Sequence, residues 1–210
     1  GAKPVISAGM KITGWKRSRI NGKACWKVRL PDVESGEWYF RQLFVDGRRA
    51  YRPRFPESGF YEVEDPLLGI SPNVAGQLSG GARDRFIFKE GDIRPWKNLQ
   101  DINAVVVHYW QEDYLPVKDI DPEKREILFA AKSYMAFVRS HPYHVCGNAW
   151  YYMDNVFEAL DSPGEWYLER PSGTLYYLPL PGEVIGQTEV YAPQGGQVIR
   201  ITGSPDGTSL

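Results

Sequence analysis

At 210 residues the chain is long enough to bury a substantial core, as one large domain or as one domain with a piece of another. Its 25 basic and 26 acidic residues leave a formal net charge of −1 with no long run of either sign, so neither nucleic acid nor a membrane surface is expected as a partner. No stretch approaches the ~20 apolar residues of a membrane span and no charged-then-apolar leader opens the sequence, while Cys25 and Cys146 alone exclude a CxxC zinc or redox pattern and read as two separate buried thiols.

Aromatic residues make up 14% of the chain, and 21 glycines with 16 prolines punctuate it at short intervals. This predicts an all-β fold, an antiparallel β-sandwich with one short helix. In chain order, Pro4 to Ser7, Lys11 to Trp15 and Ala24 to Leu30 read as strands. The Asn21-Gly22 pair suits a tight turn because both residues tolerate positive φ. Residues 38 to 51 read as a hairpin closed around Asp46-Gly47. From Pro53 to Ala82 periodicity is lost, and the composition reads as one long irregular connection. Asp84 to Lys89 is strand-like, Pro95 to Leu99 suits a short helical turn, and Ala104 to Trp110 has the apolar run of a central strand. Residues 115 to 129 contain good helix formers but read as a hairpin turning at Asp121-Pro122. Asn155 to Asp161 is a short helix stopped by Pro163-Gly164. A second hairpin spans Gly164 to Pro179. Finally, Thr188 to Pro193 and Gln197 to Gly203 have the short, glycine-broken strands of a β-solenoid rung.

Both hairpin passages open with one tetrapeptide, Gly36-Glu37-Trp38-Tyr39 and Gly164-Glu165-Trp166-Tyr167. The run Phe40 to Ala50, with Val156 to Leu168 and Gly173 to Pro179 downstream, resembles the N-terminal region of large bacterial right-handed parallel β-helix proteins, some of them glycoside hydrolases. The resemblance implies that a β-sandwich interrupts an early β-helix. Residues 1–14 would then be N-terminal strands of a β-helix, 15–185 the sandwich with its long loop 53–82, and 186–210 the start of a further β-helix segment. It also implies an exported protein and an excised piece of a longer chain. The implied partners are the β-helix domain of the same chain and a poly- or oligosaccharide met through the parent protein. The family's catalytic carboxylates sit on later coils that this sequence does not contain, so no catalytic residue is carried over.

Candidate chemistry is sparse. His108 and Trp110, two apart on a predicted strand, share a face and serve either as packing residues or as a sugar-stacking platform with a hydroxyl partner. Arg52 and Arg54, flanking Pro53, also share a face if extended, and could anchor a carboxylate or a neighbouring domain or form a structural ion pair. Glu57, Glu62, Glu64 and Asp65 have no spacing that sets two carboxyls across a cleft and read as a solvated loop. His141 and His144 lack a nearby third ligand, so no metal site is expected. Gly76 to Gly81 lacks the lysine of a phosphate loop, and no cofactor is expected. Trp15, Trp26, Trp38, Trp96, Trp150 and Trp166 suit a core and a sugar platform alike.

The sequence thus reads as a non-catalytic accessory domain of a carbohydrate-active β-helix protein, shaping its cleft or stabilising its solenoid. The alternatives are an autonomous carbohydrate-binding module, whose tryptophans would form an exposed row, and a structural or oligomer-forming domain of a surface protein.

Overall fold

A period of two in burial marks Glu126–Phe129, Thr174–Tyr177 and Val190–Pro193, whereas Asn103–Val107 and Trp166–Glu169 are buried almost throughout, and all five are strands. The structure is a computed structural model that describes residues 6–68, 81–141, 144–195 and 198–199, without the side chains of 140, 141, 144 and 145. Strands β1 (Gly9–Lys11), β2 (Lys16–Ile20) and β3 (Lys23–Arg29) come first. The short helix α1 (Pro31–Glu34) follows, started by a proline at its first turn and carrying Asp32 and Glu34 there. Then come β4 (Phe44–Val45), β5 (Arg48–Arg49), β6 (Arg54–Phe55), β7 (Tyr61–Glu62) and β8 (Arg85–Ile87). The middle of the chain supplies β9 (Asn103–Val107), β10 (Glu112–Asp121), β11 (Glu126–Phe129), β12 (Val138–His141), β13 (His144–Asn148) and β14 (Trp150–Asp154). The hairpin β15 (Trp166–Glu169) and β16 (Thr174–Tyr177) and the strand β17 (Val190–Pro193) complete it.

These strands form two bodies. In the first, the sheet β1-β17-β4-β5 faces the sheet β15-β16-β3-β2, and Val45, Val190 and Ala192 from one meet Trp26, Val28, Trp166, Leu168, Leu175 and Tyr177 from the other in one apolar cluster. The two copies of the tetrapeptide meet here. Phe40 stacks on Trp166 at 5.5 Å between ring centres and lies 4.8 Å from Trp38. Aromatic contacts of this kind add to the large area each ring buries. In the second body, the sheet β6-β14-β9-β10-β11-β8, with β7 also paired to β14, is antiparallel throughout. One of its faces is covered by Val63, Phe88, Ile93, Trp96 and Phe137 from the connecting segments. A buried polar cluster joins the two bodies. Asp101, in the 3₁₀ turn Leu99–Asp101, accepts from Arg170 Nε at 2.7 Å, and Asn155 Nδ2 donates to the Asp101 carbonyl at 3.0 Å.

The all-β class, the Asn21-Gly22 turn with both residues at positive φ, the β10–β11 hairpin and the β15–β16 hairpin match the sequence reading. Several elements differ. The 38–51 hairpin closes at Asp46-Gly47 but pairs only Phe44–Arg49 and Val45–Arg48. Trp38 to Leu43 belongs to no strand and bends at Arg41, and Trp38 and Phe40 are buried by packing and not by strand pairing. The stretch 53–82 is not one irregular loop, since β6 and β7 both pair with β14. The helix expected over 155–161 is only a 3₁₀ turn, Phe157–Ala159, and the α-helix is α1. The terminal strands β1 and β17 pair antiparallel with each other, while 69–80, with most of the Gly76 to Gly81 run, and 200–210 lie outside the described residues.

A guanidinium-lined cleft as candidate functional site

Strand alternation decides which side chains leave the core of the large sheet. Tyr151 and Met153 of β14, Ala104 and Val106 of β9, and Leu115 and Val117 of β10 are buried on the core face. Trp150, Tyr152 and Asp154, then Asn103 and Val105, then Tyr114 and Pro116 therefore occupy the opposite face. The register sets Tyr152 and Tyr114 on either side of Val105, and Asp154 and Pro116 on either side of Asn103.

The segment from Arg41 to Arg54 runs across this face. Its path is fixed by backbone pairing, for Tyr51 N donates to the Gly164 carbonyl at 3.1 Å and Trp166 N donates to the Tyr51 carbonyl at 2.9 Å. Tyr51 is thereby turned outward, 70% exposed, and Arg52 inward, its side chain only 8% exposed. Val156 N then donates to the Pro53 carbonyl at 3.2 Å, and Arg54 pairs with Asp154 across the β6–β14 ladder. Between segment and sheet lies a cleft of about 620 Å³. Four guanidiniums line it, those of Arg41, Arg49, Arg52 and Arg54, against one carboxylate, Asp154. Tyr51, Tyr114 and Tyr152 supply its aromatic surface.

The charges are not equivalent. Arg52 Nη1 stands 2.7 Å from Asp154 Oδ2, both side chains more than nine-tenths buried. Asp154 thus takes the Nη1 side of the guanidinium, while Nε of Arg52, itself buried, has no acceptor. The same guanidinium lies 5.5 Å from the ring centre of Trp166, whose own Nε1 is also without an acceptor. Burial pushes the Asp154 carboxyl above its ordinary pKa, opposed by Arg52, the Asn155 backbone N–H, Arg54 and Arg41. Burial likewise raises the Tyr152 phenol, with Tyr114 and Asp154 adding to it. Arg54 is committed to structure. It donates to the carbonyls of Pro56 and Gly59 and sits 3.8 Å from the Tyr152 ring centre.

Beyond Arg54 the pattern of cation and ring continues. Arg54 lies 5.7 Å from Phe60, Phe60 stacks on Trp150 at 5.9 Å, and Arg139 lies 4.0 Å from Trp150. At the other end Arg41 lies 4.7 Å from the Tyr114 ring. The outer face of the sheet is thus a stripe of alternating arginines and aromatics, an arrangement that can hold an anion and present flat apolar surface beside it.

Arg52 and Arg54 both line this cleft, Arg52 turned in against Asp154 and Arg54 held by the carbonyls of Pro56 and Gly59. His108 and Trp110 do not share a face, because β9 ends at Val107. His108 turns in, 3% exposed, and Trp110 turns out, 74% exposed. The His108 ring reaches the Val138 carbonyl at 3.2 Å and Asp113 at 3.3 Å, while Ser133 Oγ donates to Asp113 at 2.6 Å. Serine and aspartate thus gather on the same ring nitrogen, Nε2. A Ser-His-Asp relay needs them on opposite nitrogens, so this cluster fastens the 133–138 segment. Glu62 pairs with Lys89 and Arg139, and Glu64 with Arg125. The side chains of His141 and His144 lie outside the described residues, among which no group of three metal-ligating side chains occurs. Trp26, Trp38, Trp96 and Trp166 are buried. Cys25 is buried as expected, whereas Cys146 is exposed, and the two are not bonded.

Sequence reasoning missed Arg41, Arg49, Tyr114, Tyr152 and Asp154. The usable signal was Asp154 at the end of the apolar stretch Trp150 to Met153, since a carboxylate in a buried strand requires a cation nearby.

Residues 85–180, the large sheet from β8 onward with the β15–β16 hairpin, match the family of the GH141 insertion domain. A search of curated proteins gives no match. Among solved structures, a protein described as "Glycoside hydrolase" superposes with a TM-score of 0.61 at 23% identity, over 90% of this chain and 31% of the other. The chain therefore spans about a third of the length of that protein, and at this identity the likeness is one of fold. Through residues 85–180 the chain is similar to a glycoside hydrolase insertion domain, and over most of its length it has the fold of one part of a larger glycoside hydrolase.

Proposed function

We propose that this chain is a non-catalytic accessory domain inserted in an exported bacterial glycoside hydrolase with a parallel β-helix, where it forms one wall of the substrate cleft. The observation that carries the reading is the match of residues 85–180 to an insertion domain, joined by a fold likeness that takes up only 31% of a hydrolase chain. The burial of four of the tryptophans in the two cores supports an accessory domain over an autonomous binding module, which would expose them as a row. Three of the carboxylates also support a role without bond cleavage. Asp154 is buried against Arg52, and Glu62 and Glu64 are taken up in ion pairs.

The test compares glycoside hydrolysis by the parent protein with and without this segment, and by this chain alone. The reading expects no turnover by the chain alone and a marked loss of parent kcat/KM on deletion. Turnover by the chain alone refutes the non-catalytic role, and an unimpaired deletion variant refutes the accessory one.

A further inference from the structure

The exposed cations of this cleft pose a question that the protein itself leaves unanswered. The buried Arg52 is answered by Asp154 at 2.7 Å, but the same wall carries the further guanidiniums of Arg41 and Arg49. Neither Arg41 nor Arg49 has a carboxylate partner within ion-pair distance among the described residues, and both are exposed. The wall lacks what its chemistry calls for, an acceptor with two coplanar oxygens.

We infer that the cleft binds the carboxylate of an acidic sugar, with Arg41 and Arg49 holding the carboxylate and Tyr51 and Tyr114 packing against the pyranose ring. The volume, about 620 Å³, falls within the roughly 300–1,000 Å³ of small-molecule sites. The cations are all guanidiniums, which favours a planar carboxylate over a point anion. Tyr51 and Tyr114 are 70% and 37% exposed, open rings beside charge, as suits a ligand with an apolar face and an ionised edge. The glycan context rests on the accessory-domain reading above, while the anion requirement rests on Arg41 and Arg49, which line the cleft without a carboxylate partner among the described residues.

The test is calorimetric titration of this 210-residue chain with trimeric galacturonate and trimeric glucuronate, and with the same trimers after reduction of each carboxyl to a hydroxymethyl group. Binding of an acidic trimer, about tenfold or more weaker after reduction and about tenfold weaker in Arg41→Ala or Arg49→Ala, is the expected result for loss of a charge-assisted contact. Both variants change exposed side chains, so their urea midpoints should match the parent chain, which keeps the test clear of any misfolding by Arg52→Met. No binding of either acidic trimer, equal binding of the reduced trimers, or indifference to both arginine substitutions overturns the inference. Sodium acetate binding as tightly as the trimers, or an aspartate-rich peptide binding more tightly, does so too, by assigning the cleft to anions at large or to a protein carboxylate. Should the trimers fail while deletion still impairs the parent hydrolase, the accessory role stands and this site alone is withdrawn.

Discussion

Asp154→Asn isolates the charge on which the buried Arg52 depends. The pair stands at 2.7 Å with exposures of 8% and 9%, which at an effective dielectric of about 20 gives an attraction of about 6 kcal/mol. Withdrawing each ion from water opposes this by several kcal/mol, so the intact pair contributes little net. Removing one partner is different, because it leaves Arg52 desolvated with no compensation, at about 3–5 kcal/mol. Arg54 and Arg41, both lining the same cleft, lose their nearest anion as well and add repulsion. Urea unfolding should therefore place Asp154→Asn at least ~3 kcal/mol below the unmodified chain. The double variant Arg52→Met with Asp154→Leu should recover most of that loss, since matched apolar replacement of a buried pair is often neutral or stabilising. A loss under ~1 kcal/mol for the single variant, or a double variant less stable than the single one, would refute the reasoning.

Gly173 adopts φ +61, and a Cβ there would run into the Leu30 carbonyl oxygen, which belongs to backbone. Gly173→Ala should thus lower stability well beyond the ~1 kcal/mol of the conformational term alone, whereas Gly22→Ala, at φ +78 with open space around it, should show that term by itself in the same urea assay. Burial raises the carboxyl pKa values of Asp92, Asp101 and Glu165. Each binds its proton more tightly folded than unfolded, so its stabilising contribution is full below the unfolded value near ~4 and fades as pH rises through the higher folded value. The urea midpoint should therefore rise as the pH is lowered from neutrality toward ~4, and a steady fall over that range would contradict the assignment. A thiol reagent should label Cys146 at once in the native protein and Cys25, 2% exposed, only on unfolding; two fast thiols would mean that the sheet β15-β16-β3-β2 opens locally.

Much of the fold was legible because local chemistry and global packing agree in it. Asn21-Gly22 and Asp46-Gly47 place positive φ where hairpins need it, and the aromatic runs Trp166 to Glu169 and Thr174 to Tyr177 pair across the short turn between them. Trp38 to Leu43 shows the limit, since its alternation reports burial while pairing depends on a neighbour that the sequence does not name. Trp110 shows another. β9 ends at Val107, three residues short of the expected Trp110, so the alternation that would have set Trp110 on the buried side with His108 no longer applies. Arg52 and Arg54 were legible as a pair from their own spacing. Their partners were not, because Tyr114 and Asp154 reach them through β14 pairing with β9 rather than with β13, a long-range choice made by the core face of that sheet.

Strands β1 and β17 put Gly9 opposite Pro193 and Lys11 opposite Tyr191, so the two ends of this long stretch emerge one strand spacing apart, ~5 Å. To any host chain that enters along β1 and leaves along β17, everything between them has the geometry of a hairpin loop. Such a host can keep its own strands in register across the junction, because the gap it must close does not grow with the size of what is inserted. In such a host the same doorway would give the domain two tethers in place of one, which would prevent swivelling about a single bond and hold the guanidinium-lined face at a fixed bearing.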